Sequence, residues 1–154
     1  DKTASAMDAI TGSDNLALDT EIWGSSGNLV RLQANRIIDG KTNTTWKSNS
    51  IINNYYSLDG CDHWVCIDLG ELKTFDTYTL ISGDEKSPVV EWGLFVSTDR
   101  REWTAVDYQN KNTNASASYN IGEQTARYVL LRVYTASKSG NDLAIAELGL
   151  YKKG

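Results

Sequence analysis

A chain of 154 residues, 40% of them hydrophobic, is the size of one domain and carries enough apolar surface to build a core without staples. Its formal net charge is −5, its basic residues are scattered, and only Arg100–Arg101 and Lys152–Lys153 adjoin, which excludes a surface built to gather nucleic-acid or lipid phosphates. No run approaches the roughly 20 apolar residues of a membrane span, and the opening Asp1-Lys2-Thr3 has no apolar leader, so a signal peptide is not expected within these residues.

In chain order, residues 1–15 read as a tail or inter-domain linker, and residues 16–154 as one domain without an internal repeat. The one helix-like window is Leu29 to Ile37, where Leu29, Leu32 and Arg36 share a face. Beyond it the signals are those of strands. Val65, Ile67 and Leu69 alternate with Cys66 and Asp68, and Gly70 ends the run. Trp92, Leu94 and Val96 alternate with Gly93, Phe95 and Ser97 before the turn Thr98-Asp99-Arg100-Arg101. Residues 107–120 read as one long polar loop; Val129, Leu131 and Val133 then alternate with Tyr128, Leu130 and Arg132. Leu148 and Leu150 repeat the pattern near the C-terminus. Period two over four to eight residues, bounded by Gly, Asn, Asp and Ser, predicts half-buried antiparallel strands. Many short strands joined by polar loops predict an all-β sandwich or barrel. Trp46, Trp64, Trp92 and Trp103 fall inside strand motifs and are expected in the core, whereas Trp23 has no assignable place.

Cys61 and Cys66 lie five apart and admit either a small closed loop or two free thiols. His63 is the sole histidine, too few soft ligands for zinc. Catalysis finds little support. There is no serine elbow and no glycine-rich phosphate loop, and the paired carboxylates Asp59 and Asp62 sit in a loop unsuited to the fixed separation a glycosidase needs.

Four ordered segments carry a resemblance. They are Asn35-Arg36-Ile37-Ile38-Asp39-Gly40 with Thr44-Thr45-Trp46; His63-Trp64-Val65-Cys66-Ile67-Asp68-Leu69-Gly70; Trp92 through Ser97 with Asp99 and Trp103; and Ala126-Arg127-Tyr128-Val129, closed by Ala144-Ile145-Ala146-Glu147-Leu148. They resemble the patterns A-x-x-A-I-D-G with T-x-W, W-x-x-I-D-L-G, Y-x-V-x-x-S-x-D-G-x-x-W, A-R-Y-V-R-L and A-x-x-E of the discoidin, or factor V/VIII C-domain, superfamily. Within it the chain looks most like family 32 carbohydrate-binding modules. The resemblance implies an eight-stranded antiparallel jelly-roll β-sandwich.

Asp39-Gly40-Lys41-Thr42-Asn43-Thr44 also suits a calcium loop chemically. It offers a carboxylate, a glycine for a tight turn, the Lys41 carbonyl and the Thr44 hydroxyl, and calcium takes six to eight such hard oxygens. The resemblance supplies the remaining ligands: the carbonyls of Arg36 and Ala146 and the side chain of Glu147. Calcium is thus expected as a structural ion tying the loop to the last strand.

For the sugar, the resemblance points to loops at one end of the sandwich. The loop from Lys47 to Asp62 holds two tyrosines and three asparagines, suited to stacking and to hydroxyl recognition. The candidate contacts are Asn49, Tyr55, Tyr56, His63 and Asn141. Ser82-Gly83-Asp84-Glu85-Lys86-Ser87-Pro88 lacks the arginine of galactose-binding relatives, so the resemblance does not name the sugar; terminal galactose, GalNAc or GlcNAc are the expected types. The implied role is a non-catalytic module of a secreted, periplasmic or cell-surface bacterial glycoside hydrolase, for example an exo-hexosaminidase, joined to the catalytic domain in the same chain. The alternative is an adhesion domain meeting a protein or phospholipid through Ile51-Ile52 and Tyr55-Tyr56.

Overall fold

The computed structural model describes residues 15–24, 34–48, 63–137 and 143–154. Seven strands follow in chain order: β1 (Glu21–Gly24), β2 (Trp46–Ser48), β3 (His63–Ser82), β4 (Glu91–Ser97), β5 (Thr104–Gln109), β6 (Ser116–Thr135) and β7 (Leu143–Tyr151). Every pairing is antiparallel, in the order β2-β7-β3-β6-β4-β5, with β1 on β3. The all-β antiparallel architecture expected from the alternating segments is the one observed.

β3 and β6 are 20 residues each, longer than the short strands expected. Their pairing shifts between Asp68 and Lys73, and before that break they join β1 and β4. Beyond it β3 joins β7, which carries β2. Each long strand therefore serves both layers of the sandwich. The expected loop at 107–120 shrinks to the few residues between Gln109 and Ser116. The reason is a quiet alternation: Tyr119 and Ile121 pack against the core while Ser118 and Asn120 face solvent.

The inward side chains of both layers form one cluster, with Trp46, Trp92, Tyr78, Phe75, Ile67, Leu131 and Leu148 at most 1% exposed. Within the helix-like window, only Asn35–Ile37 forms a single 3-10 turn among the described residues; 29–33 lie outside them. Asn15, at the expected domain boundary, is buried and accepts from the Leu150 amide at 3.0 Å and the Ala17 amide at 3.0 Å. Cys66 is a free, buried thiol that burial pushes up to about 12, while Cys61 lies outside the described residues. No helix among the described residues is long and apolar enough to cross a membrane.

A polar chain ties the layers through this core. Trp92 Nε1 on β4 donates to the Tyr78 hydroxyl on β3 at 2.9 Å, and that hydroxyl donates to Asp107 Oδ2 on β5 at 2.5 Å. Burial and the Asp107 carboxylate hold the Tyr78 phenol neutral far above its ordinary range. Tyr78→Phe keeps the ring but leaves the Trp92 N–H buried without an acceptor. It is expected to cost about 1–3 kcal/mol, read as a lower urea midpoint at unchanged m-value; an unchanged midpoint would show the tie to be unimportant.

Candidate functional site

Five of the six expected metal ligands meet around one point. Gly40 takes a φ of 74°, a left-handed turn open to glycine at no steric cost, and the chain reverses there. The reversal aims the Lys41 amide at two carboxylates, Asp39 Oδ1 at 2.9 Å and Glu147 Oε1 at 3.1 Å. Thr44 Oγ1 donates to Asp39 Oδ2 at 2.6 Å and lies 3.5 Å from the Arg36 carbonyl and 3.4 Å from the Lys41 carbonyl. Ala146, the sixth, is buried beside Glu147 on β7.

The chemistry of this cluster is an excess of acceptors. Glu147 is fully buried, and its Oε2 has no hydrogen-bond partner among the described residues. Burial first, then the hydrogen bond and charge of Asp39, push Glu147 up to about 10. Burial opposes ionisation of Asp39 as well, but hydrogen bonds from Glu147, Thr44 and the Lys41 amide outweigh it and hold Asp39 below the usual carboxylate range. The buried Glu147 thus favours its protonated form beside an ionised Asp39. No three His, Cys, Asp or Glu side chains cluster as a metal site among the described residues. A cation here would rest on two carboxylates, one hydroxyl and main-chain carbonyls, a donor set that suits a hard ion and not a soft one.

A second region of interest is where the long connections leave the sandwich. β2 ends at Ser48 opposite Leu143, β3 begins at His63 opposite Val133, and Ser82 pairs with Ile145. The connections 49–62, 83–90, 110–115 and 136–142 therefore start and finish on one side of the fold. Asn49, Tyr55, Tyr56 and Asn141 lie outside the described residues. His63 is described: it is 4% exposed and shares the inward side of β3 with Val65 and Ile67.

The described part of this end holds a cleft of about 610 Å3 between Thr42, Ser82-Gly83, Glu85 and Thr113–Ser116. Hydroxyls, an amide and a carboxylate line it, and the buried Ser116 hydroxyl has no hydrogen-bond partner among the described residues. Gly83 fixes how closely the 83–88 turn approaches the strands. Its amide donates to the Ala144 carbonyl at 2.9 Å, and a Cβ there would stand 2.4 Å from Thr45 Cγ2 and 2.9 Å from Ala144 Cβ.

Two tryptophans correct the sequence reading, and a third finds its place. Trp46 and Trp92 are core, but Trp64 and Trp103 are half-buried on the outer face of the sheet, where Trp23 joins them. The signal was present: Trp64 is out of phase with Val65, Ile67 and Leu69, so period two itself sends it to the opposite face.

Comparison with known proteins places these features. A family model of the F5/F8 type C group, described as NedA-like, galactose-binding domain, matches residues 36–131. No curated protein sequence matches the chain. Chitosan-binding module 1 of a chitosanase/glucanase from Paenibacillus sp. IK-5 superposes with a TM-score of 0.70 at 24% identity, over 89% of this chain and 98% of that one. CpGH89CBM32-5 from Clostridium perfringens, solved with GalNAc-β-1,3-galactose, gives 0.66 at 19%, over 86% and 94%. A fucose-binding module of Streptococcus pneumoniae gives 0.66 at 18%, over 90% and 95%. At these identities the likeness is one of fold.

Gly83→Ala is expected to push the 83–88 turn off the sheet and to destabilise by about 1–3 kcal/mol through overpacking. Thermal melting checks it; a melting temperature equal to that of the parent would mean that the turn gives way freely.

Proposed function

Because the chain belongs to the NedA-like, galactose-binding domain family of the discoidin superfamily, we propose that it is a non-catalytic carbohydrate-binding module that holds a glycan for an enzyme in the same full-length protein. The observation that carries this reading is the gathering of four connections at one end, beside a cleft walled by hydroxyl, amide and carboxylate groups. Sugars are recognised by such groups together with an aromatic face, and the 49–62 connection supplies Tyr55 and Tyr56. Similar folds named for chitosan and fucose binding, and one solved with GalNAc-β-1,3-galactose, support it.

The parent enzyme in this reading is a secreted, periplasmic or cell-surface bacterial glycoside hydrolase, an exo-hexosaminidase being one example. The expected sugars are terminal galactose, GalNAc or GlcNAc. A weak single site becomes useful there because tethering raises the effective concentration of the catalytic domain at its substrate.

The same proposal places a structural calcium in the Asp39 loop, held by the side chains of Asp39, Thr44 and Glu147 and the carbonyls of Arg36, Lys41 and Ala146. The bound ion would supply positive charge in place of the proton that Glu147 holds. The protein's own part is to bring a loop and a strand 106 residues apart into one oxygen cluster.

Two outcomes are expected. Saturating calcium raises the melting temperature, about 2.7 kcal/mol of stabilisation at a hundredfold excess over Kd; a chelator reverses it and Glu147→Gln blunts it. A melting curve indifferent to calcium and chelator would remove the ion. On a glycan array, the protein retains one or more galactose, GalNAc or GlcNAc termini and loses them in Tyr55→Ala or Tyr56→Ala. Binding of no glycan at any concentration would overturn the lectin role.

A further inference from the structure

Trp23, Trp64 and Trp103 form the walls of a second cleft, on the outer face of the sheet. Trp23 on β1 stands opposite Cys66 on β3, and Cys66 stands opposite Leu130 on β6. Those two residues, 6% and 7% exposed, make the floor; Arg100 and Trp103 close the cleft from the turn between β4 and β5. Its volume is about 240 Å3, below the roughly 300–1,000 Å3 of pockets for drug-sized ligands. That space takes one ring and not a length of chain.

Among the described residues, Arg100 is the only charged one in this lining. Its backbone has a φ of 64°, a left-handed conformation that residues other than glycine enter at a cost. In the pattern Y-x-V-x-x-S-x-D-G-x-x-W that this segment resembles, glycine holds the position. The turn is pinned nonetheless: Ser97 Oγ accepts from the Arg100 amide at 2.8 Å, and Asp99 Oδ1 accepts from the Arg101 and Glu102 amides at 2.9 and 3.0 Å. The pinned turn sets the guanidinium 5.4 Å from the Trp23 ring and 5.7 Å from the Tyr128 ring. No carboxylate forms an ion pair with Arg100 among the described residues. Asp68, two residues beyond Cys66, is already taken by a bidentate pair with Arg127 at 2.8 and 3.0 Å. Glu21, which shares this face, has an interaction of its own.

We propose that this cleft binds a sugar ring bearing a carboxylate, a uronic acid residue, at a site separate from the loop end. The C–H face of the ring lies against the indoles, the contact by which aromatic side chains hold pyranoses, and the carboxylate meets the Arg100 guanidinium. A neutral sugar would use the indoles and leave the cation idle. A phosphate would want several donors, and the cleft offers one. The proposal stands whether or not the loops bind a glycan.

The test is titration of the full chain with D-galacturonate and D-glucuronate, with D-galactose and D-glucose as neutral controls, followed by tryptophan fluorescence and calorimetry. The uronates are expected to bind at least roughly tenfold tighter than the neutral sugars, and less tightly as salt is added. Arg100→Gly should weaken uronate binding by about tenfold or more without lowering the melting temperature, because glycine accepts the left-handed conformation. Trp64→Ala should weaken it likewise, with a melting curve to confirm folding. Tyr55→Ala with Tyr56→Ala should leave it unchanged, which separates this site from the loop end. Equal binding of uronate and neutral sugar, no uronate binding, undiminished binding by Arg100→Gly, or loss of binding in the tyrosine variants would each overturn the proposal.

Discussion

The pairing of β3 with β6 is the constraint on which the rest of the molecule depends. It runs from His63 opposite Val133 to Ile81 opposite Ser116, and among the described residues it is the only pairing that enters both layers. Where the register slips between Asp68 and Lys73, both strands turn from one layer into the other. That bend sets the inward residues of two sheets against one another. It also decides which side of β3 is left outward, and so where Trp64 and Cys66 are presented. A slip of one residue in this register would exchange the core set for the outer set along the whole first half of the strand.

Much of this was legible in the sequence, and the part that was not has a physical cause. The first half of β3, β4 and the second half of β6 read cleanly because their inward positions are aliphatic or aromatic and their phase never breaks. The second half of β3 does not read that way. Between Phe75 and Thr77 the register shifts again, so Phe75 and Tyr78 are both buried although they lie an odd number of residues apart. Asp76, Thr77 and Thr79 are buried too, because polar partners cover them: the amides of Lys153 and Gly154 on Asp76, and the Ser118 hydroxyl on Thr79. A strand with bulges and polar cover on its second face loses the alternation by which strands are recognised. β6 hides its first half differently: Tyr119 and Ile121 pack against the core, but small and polar residues such as Ser116, Ser118 and Asn120 surround them.

The candidate sites divide along the same line. The oxygen cluster at Asp39 was readable because ligand chemistry leaves a compact local signature, and the distant partner at Glu147 was reached through the resemblance. The aromatic cleft was not anticipated because its members come from β1, β3, β6 and one turn. No window of sequence contains them, and tryptophans inside strand motifs are by default assigned to a core. Only the phase of each strand, taken together with the pairing, brings Trp23, Trp64 and Trp103 to one face.

The contact of the Lys41 amide with Glu147 has a consequence in time as well as in space. It closes 106 residues of chain, so it is entropically costly to form before the sheets have brought its ends together. A contact of this kind is expected to be absent when the folding barrier is crossed and complete only afterwards. Its strength then bears little on how fast the chain folds and much on how slowly it comes apart. Persistence of the folded form against proteolysis is the property such a late-forming fastening governs.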